Sequence, residues 1–248
     1  MKHAALAAAA SFIALGLAAP AFAGNLTVGA ASTFDLGTGS LALGCADLAV
    51  TGTLTAGTVG FSAARDVAIN PGGTVNGNSA LLSLSGNWDN AGSFNAGTST
   101  VQMLDGCALF SGVVVGNTSF ANLSINTTTA KLVSFTAGST QTVTGLLSLL
   151  GSVGNLLQIR STVNGSAAFM NATGTSSASY VNVQDNNALP GNDILLPPNS
   201  VKGSNTPGWL QGIVVPMLGP LAMGVLALLL LVSGQHWLQR STRADSSL

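Results

Sequence analysis

Short stretches of alternating apolar and polar residues recur along the middle of the chain. The clearest are residues 82–84, 101–103, 123–125, 157–159 and 180–183. A period of two is typical of a strand that buries one face. Turns rich in Gly and Asn separate the stretches, at residues 70–73, 76–78, 89–92 and 151–155. The pattern predicts many short strands joined by frequent turns.

A looser repeat places an aromatic residue before a small-polar turn and a β-branched residue. Residues 94–101 (FNAGTSTV) and 135–143 (FTAGSTQTV) carry it, and residues 54–59 (LTAGTV) are a shorter relative. Repeats a few tens of residues apart indicate stacked arrays. We therefore predict an all-β body that is a parallel, right-handed β-solenoid of about seven coils, with roughly 22 residues in each. A β-sandwich is the alternative.

The N-terminus has the layout of an export signal. Lys2 and His3 precede an apolar run, and small residues stand at Ala21 and Ala23. This predicts a signal peptide over residues 1–23, cleaved between Ala23 and Gly24. An uncleaved membrane helix is the alternative, although the run is short for a hydrocarbon core of ~30 Å.

The C-terminal region predicts a membrane helix. Residues 213–232 contain no ionisable group, and at ~1.5 Å per residue they span a bilayer core. Arg240 and Arg243 follow this run, so residues 233–248 are expected to form a cytoplasmic basic tail. Trp209 and Trp237 flank the run, where indole rings favour the membrane interface. The body then lies outside the inner membrane, as residues 24–188 of solenoid and residues 189–212 of Pro/Asn-rich cap and linker.

The charged residues of the body exclude several functions. Residues 24–212 contain seven Asp, no Glu, no His and four Lys or Arg, a formal net charge of −3. Nucleic acid is not an expected partner, because phosphate binding needs clustered basic groups. A Ser-His-Asp or Cys-His site lacks its base. Asp66, Asp89 and Asp105 remain a hydrolase candidate if they converge, with turn residues as the simpler interpretation.

Other candidate sites have plainer alternatives. Residues 185–187 and 192–193 offer oxygen ligands for calcium but match no known loop layout, so capped turns are favoured and neither metal nor cofactor is expected. Trp88 is either a sugar-stacking platform or a buried aromatic. Cys45 and Cys107 both lie in the exported part, where a disulfide is expected, with two separate buried thiols as the alternative.

The C-terminal layout resembles a known sorting signal. Residues 215–221 (VPMLGPL), the apolar run and the terminal Arg residues resemble the IPTL-CTERM signal of proteobacterial surface proteins. Val215, Pro216, Met217 and Leu218 would form its motif, with Met217 in place of the usual Thr. The resemblance implies processing by an exosortase-type membrane protease. A permanent anchor is the alternative. Residues 86–94, 120–123 and 181–188 are similar to repeats of secreted bacterial β-helix proteins.

Together these features predict a structural or adhesive protein without catalytic activity. It would begin as a precursor anchored in the inner membrane and end at the cell surface or in the extracellular matrix of a Gram-negative bacterium. The expected partners are signal peptidase, the Sec export machinery, the exosortase-type protease, the membrane and an extracellular polysaccharide. A carbohydrate-binding or polysaccharide-lyase-like β-helix protein is the alternative.

Overall fold

The structure is a computed structural model that describes residues 24–212. The predicted signal peptide, membrane helix, sorting motif and basic tail lie outside the described residues. Residues 24–212 wind into a parallel β-solenoid of about eight turns, which confirms the predicted solenoid. The β-sandwich alternative is wrong, because strands pair in parallel with strands one coil away. No helix in residues 24–212 is long and apolar enough to cross a membrane.

The strands are short and follow one another in chain order. The first four coils contain β1 (Leu26–Val28), β2 (Thr33–Asp35), β3 (Ser40–Ala42), β4 (Leu48–Val50), β5 (Thr53–Thr55), β6 (Gly60–Ala64), β7 (Val67–Ile69), β8 (Thr74–Asn76), β9 (Leu81–Leu84), β10 (Trp88–Asn90), β11 (Ser93–Asn95) and β12 (Thr100–Met103). Coils 5 to 7 contain β13 (Ser111–Val115), β14 (Thr118–Phe120), β15 (Asn122–Asn126), β16 (Leu132–Phe135), β17 (Thr140–Val143), β18 (Leu146–Leu150), β19 (Leu157–Ser161), β20 (Ala168–Ala172) and β21 (Thr175–Ser179). The chain closes with β22 (Val181–Val183), β23 (Asn186–Asn187), β24 (Ile194–Leu196), β25 (Val201–Lys202) and β26 (Trp209–Gln211).

Every third strand joins the same face of the solenoid. The first face is one nine-stranded sheet running from β1 to β25. The second face is divided into two four-stranded sheets, with a break between β11 and β14. The third face is a seven-stranded sheet from β3 to β21, and a two-stranded sheet of β24 and β26 lies beyond it. Each coil therefore contributes one strand to each face, and the corners between faces are the turns that the sequence predicts.

The core consists of apolar residues stacked coil upon coil. On the third face Leu82, Val101, Leu123 and Leu147 lie in register and are essentially inaccessible to solvent. Burying one such side chain stabilises the fold by about 1.5–3 kcal/mol. On each strand, the residue that follows the buried one points to the outer side of the sheet. This alternation is the physical origin of the period-two pattern.

The number and length of the coils differ from the prediction. On the first face, the step from one coil to the next varies between 19 residues, from Leu48 to Val67, and 26 residues, from Trp88 to Val114. Residues 189–212 add strands β24 to β26, which accounts for a turn beyond the seven expected. The side chain of Trp209, which the sequence places beside the predicted membrane helix, is fully buried, and its Nε1 donates to Oδ1 of Asn186 at 3.2 Å.

The repeat fragments found in the sequence occupy different corners. Residues 54–59 and 94–101 both turn from the second face to the third. Residues 135–143 turn from the first face to the second, because Phe135 pairs with Val114 in the first-face sheet. The expected turn at residues 89–92 is also shorter than predicted, since Asp89 and Asn90 belong to β10.

Candidate functional site

The cysteine prediction is confirmed. Cys45 and Cys107 form a disulfide with a Cα–Cα distance of 5.4 Å. The two residues follow β3 in coil 1 and β12 in coil 4, so stacking alone would separate them by about 14 Å, three strand spacings of ~4.8 Å. Residues 104–110 close this gap by folding back along the corner between the third and first faces. Gly106 of this loop lies against Ser85, and Leu109 lies against Gly86.

The folded-back loop borders a shallow depression of about 240 Å³. Its lining consists of Arg65, Asp66, Gly86, Asn87, Leu109 and Ser111. Arg65 donates through Nε to Oδ1 of Asp47 at 2.7 Å, and Asp47 is the main reason that the Arg65 pKa is raised. Oδ1 of Asp66 accepts a hydrogen bond from the backbone N–H of Asn87 at 2.6 Å. The ionised groups here tie neighbouring corners to each other.

The three candidate carboxylates occupy different places. Asp66 lines the depression, whereas neither Asp89 nor Asp105 does. Asp89 lies on the first face, in register with Ala68 and Val115.

Asp105 lies in the folded-back loop and is held by threonines of the next corner. It accepts hydrogen bonds from Oγ1 of Thr127 at 2.7 Å and from the backbone N–H of Thr128 at 2.6 Å. Burial acts to raise the Asp105 pKa, but these hydrogen bonds and one from Thr129 outweigh burial, so the pKa is lowered.

Lys131 is a fully buried cation that the sequence did not single out. Its Nζ donates to the carbonyl oxygen of Ser85 at 2.5 Å and to that of Leu109 at 3.5 Å. Burial lowers the pKa of Lys131, and the negative charge of Asp105 partly opposes this effect. Lys131 thus links the folded-back loop to the corner that follows β9.

In the oxygen-rich segment around Asp185, the Asp185 carboxylate has protein hydrogen-bond partners. The Asp185 carboxylate accepts hydrogen bonds from Nδ2 of Asn205 at 2.9 Å, the N–H of Gly165 at 3.1 Å and Nε2 of Gln184 at 3.2 Å. The hydrogen bonds from Asn205 and Gly165 are the main causes of its lowered pKa. Within residues 24–212, no three or more His, Cys, Asp or Glu side chains are grouped to hold a metal ion.

Trp88 is a buried aromatic rather than an exposed platform. Its ring centroid lies 5.0 Å from that of Phe94 and 5.7 Å from that of Phe120. Its Nε1 donates to Oγ1 of Thr118 at 3.3 Å. These rings fill the region where the second-face sheet is interrupted between β11 and β14.

A regular polar surface on the second face was missed by the sequence reasoning. Three columns of outward side chains run along coils 1 to 4, and we call them together the polar ladder face. The first and second ladders are paired in register, and the third follows them at the corner. The first ladder is Thr33, Thr53, Thr74 and Ser93; the second is Asp35, Thr55, Asn76 and Asn95; the third is the exposed set Thr38, Thr58, Ser79 and Thr98.

The polar ladder face is uncharged except at Asp35 and has free hydrogen-bonding capacity. Successive rungs are about 4.8 Å apart, and the first and second ladders are about 6.6 Å apart, two residue rises along a strand. In the second ladder Nδ2 of Asn95 donates to Oδ1 of Asn76 at 2.8 Å. In the first ladder no hydroxyl has a hydrogen-bond partner among residues 24–212.

A six-residue pattern in the sequence marks this face. Residues 33–38 (TFDLGT), 53–58 (TLTAGT), 74–79 (TVNGNS) and 93–98 (SFNAGT) share a hydroxyl residue at each end, an apolar second position and Gly or Asn at the fifth. The apolar position points into the core, and the fifth adopts positive φ in all four coils. Residues 54–59 and 94–101 each overlap one of these six-residue units. Residues 135–143 lie at another corner and do not belong to the pattern, so the repeat predicted from the three fragments has different boundaries.

No family model, curated protein or solved structure matches this chain.

Proposed function

We propose that the protein is exported to the surface of a Gram-negative bacterium and acts there as a structural or adhesive rod without catalytic activity. The observation that supports this proposal most is the polar ladder face, which repeats short polar side chains, uncharged except at Asp35, over four coils. Such a surface suits contact with an extended partner rather than reaction with a small molecule. The sparse charge of the body is in keeping with this role.

The ionisable side chains that could carry chemistry are engaged in corner contacts. Arg65 binds Asp47, Asp105 is held by Thr127 and Thr128, and Lys131 binds backbone carbonyls. A general acid or base must reach a substrate proton, and these groups instead form contacts between neighbouring corners.

A right-handed coil is part of the proposal, since crossovers between parallel strands are usually right-handed.

Export and sorting belong to the proposal through the terminal segments. Signal peptidase would cut between Ala23 and Gly24 after Sec-dependent translocation. The segment Val215 to Leu218 would then be processed by an exosortase-type protease. Arg240 and Arg243 would hold the tail in the cytoplasm until that step.

Mass spectrometry of the mature termini, on protein from envelope and medium fractions, tests the proposal. We expect a start at Gly24 and an end between residues 215 and 218. A chain that remains intact to Leu248 would show that the helix is a permanent anchor, and one that keeps Met1 would refute export.

Two further measurements test the role itself. A strain lacking the protein should lose attachment to a surface or matrix, and attachment should return when the gene is restored. Release of new polysaccharide chain ends by the purified protein would overturn the non-catalytic part of the proposal.

A further inference from the structure

We infer that the polar ladder face binds an extended, neutral, β-linked polysaccharide lying parallel to the solenoid axis. This inference rests on the proposed adhesive function and names its partner and surface. The first ground is translational symmetry: each of coils 1 to 4 presents a hydroxyl in the first ladder, a polar side chain in the second and a hydroxyl in the third, with the first two ladders in register from coil to coil. A homopolymer that lies along the axis would offer successive sugar units to successive coils, so each unit would meet the same groups.

The second ground is charge. Asp35 is the single charged side chain in the three ladders, and no Lys or Arg stands among them. A polyanion such as a uronate polymer or nucleic acid would find no counter-charge, and a polycation would find only one carboxylate. A neutral chain of hydroxyl groups avoids this loss, since hydroxyl and amide side chains both donate and accept hydrogen bonds.

The third ground is unused hydrogen-bonding capacity. The hydroxyls of Thr33, Thr53, Thr74 and Ser93 form no side-chain hydrogen bond within residues 24–212, although they lie at fixed positions on a sheet. A ligand can therefore replace water at these hydroxyls without breaking protein contacts. Pre-ordered side chains on a rigid sheet also lose little conformational freedom on binding.

The fourth ground is that the disulfide spans the same four coils. Cys45 follows β3 in coil 1 and Cys107 follows β12 in coil 4. The disulfide therefore joins the first and last coils of the polar ladder face, at the corner between the third and first faces. Beyond coil 4 the three-ladder pattern is not kept: a single outward polar column of Ser119, Thr142 and Asn171 continues in register, and Nδ2 of Asn171 donates to Oγ1 of Thr142 at 3.3 Å. The end of the ladders coincides with the break in the second-face sheet.

The test is pull-down of the exported protein by cellulose and chitin particles. Dextran, a coiled neutral polymer, and polygalacturonate, a polyanion, are the competing soluble glycans. We expect binding to cellulose or chitin that neither soluble glycan displaces. The double variant Thr53→Val/Thr74→Val keeps the side-chain shape and should lower the apparent affinity roughly tenfold, because two hydroxyl hydrogen bonds are lost.

Two further variants complete the test. Thr58→Ala, at the exposed corner, should weaken binding roughly threefold by removing one hydroxyl. Thr140→Val is the matched control: Thr140 is a half-buried strand threonine on the second face of coil 6, without a side-chain hydrogen bond, and its variant should bind like the wild type.

Three results would overturn the inference. They are no binding of the wild type to either particle, equal binding by the double variant, and displacement by polygalacturonate or dextran. None of these results bears on export, sorting or attachment, which are read from the mature termini and from the deletion strain. Failure of the binding inference is therefore distinct from failure of the proposed function.

Discussion

Lys131 and Ser85 lie 46 residues apart in the chain, yet Nζ of Lys131 donates a hydrogen bond of 2.5 Å to the carbonyl oxygen of Ser85. This bond joins the corner before β16 to the corner after β9. The same ammonium group also contacts the carbonyl of Leu109 in the folded-back loop. Lys131 forms no salt bridge within residues 24–212, and its ammonium group links three corners through backbone carbonyls.

Replacing this lysine should destabilise the protein. Lys131→Met leaves the buried carbonyl of Ser85 without a donor, which costs about 1–3 kcal/mol in the free energy of unfolding at neutral pH. Denaturant unfolding of the two proteins measures the difference. Lys202→Met is the control, because Lys202 is exposed on β25 and its replacement should change the free energy by less than about 0.5 kcal/mol.

The stability difference between wild type and Lys131→Met should depend on pH. Burial lowers the pKa of Lys131 in the folded state, so the unfolded chain binds this proton more tightly. Raising the pH from neutral toward 10.5, the ordinary lysine value, should therefore stabilise the wild type relative to the variant. Unfolding of both proteins across that range is the measurement. A constant difference would show that burial does not disfavour the charged form.

The disulfide should stabilise the first four coils. Its residues are 62 positions apart, and closing such a loop removes unfolded-chain entropy worth about 4 kcal/mol. We expect Cys45→Ser/Cys107→Ser to lower the free energy of unfolding by up to that amount. In a linear array the loss should appear as faster amide exchange in β1 to β12, with β16 to β21 little affected. Reducing agent should destabilise the wild type and leave the double variant unchanged; equal protection in both halves would contradict this.

Two glycines at the same corner should respond differently to alanine. Both adopt positive φ, +55° at Gly37 and +65° at Gly57. A Cβ at Gly37 meets nothing within 4 Å, whereas one at Gly57 would lie 1.9 Å from the carbonyl oxygen of Gly37. Gly37→Ala should cost about 1–2 kcal/mol from backbone strain alone. Gly57→Ala should cost clearly more, because the coils must separate, and equal melting temperatures for the two variants would refute this.

The aromatic cluster at the sheet break should be essential to the stack. Trp88→Ala leaves a large cavity between coils 4 and 5 and should cost about 3–5 kcal/mol. Trp88→Phe retains a ring against Phe94 and Phe120, loses the hydrogen bond to Thr118, and should cost less. Calorimetric melting curves compare the two. Similar losses would mean that the hydrogen bond, rather than packing, dominates.

The sequence predicted the class of fold because the solenoid uses local signals. Leu82, Val101 and Leu123 alternate with outward residues, and many strands end at turns that contain Gly or Asn. Residues 146–150, an apolar run too short for a helix of ordinary length, form the strand β18. The disulfide also followed from composition, since the body has only two cysteines.

Features that depend on register could not be predicted in the same way. The insertion at residues 104–110 moves later repeat fragments to another corner, so Phe94 and Phe135 look equivalent in sequence and lie on different faces. The core position of Trp209 and the cross-coil bond of Lys131 depend on which residues stack, and periodicity alone does not give that. The polar ladder face was hidden for the same reason.

The division of the second face has a mechanical consequence. Between coils 4 and 5 the strands pair through backbone hydrogen bonds on the first and third faces only, since β11 does not pair with β14. A pull along the axis would concentrate extension at this junction, while the disulfide keeps coils 1 to 4 together as one block. The rod would then bend at the junction between coils 4 and 5, and the spacing of the side chains on the polar ladder face would be preserved.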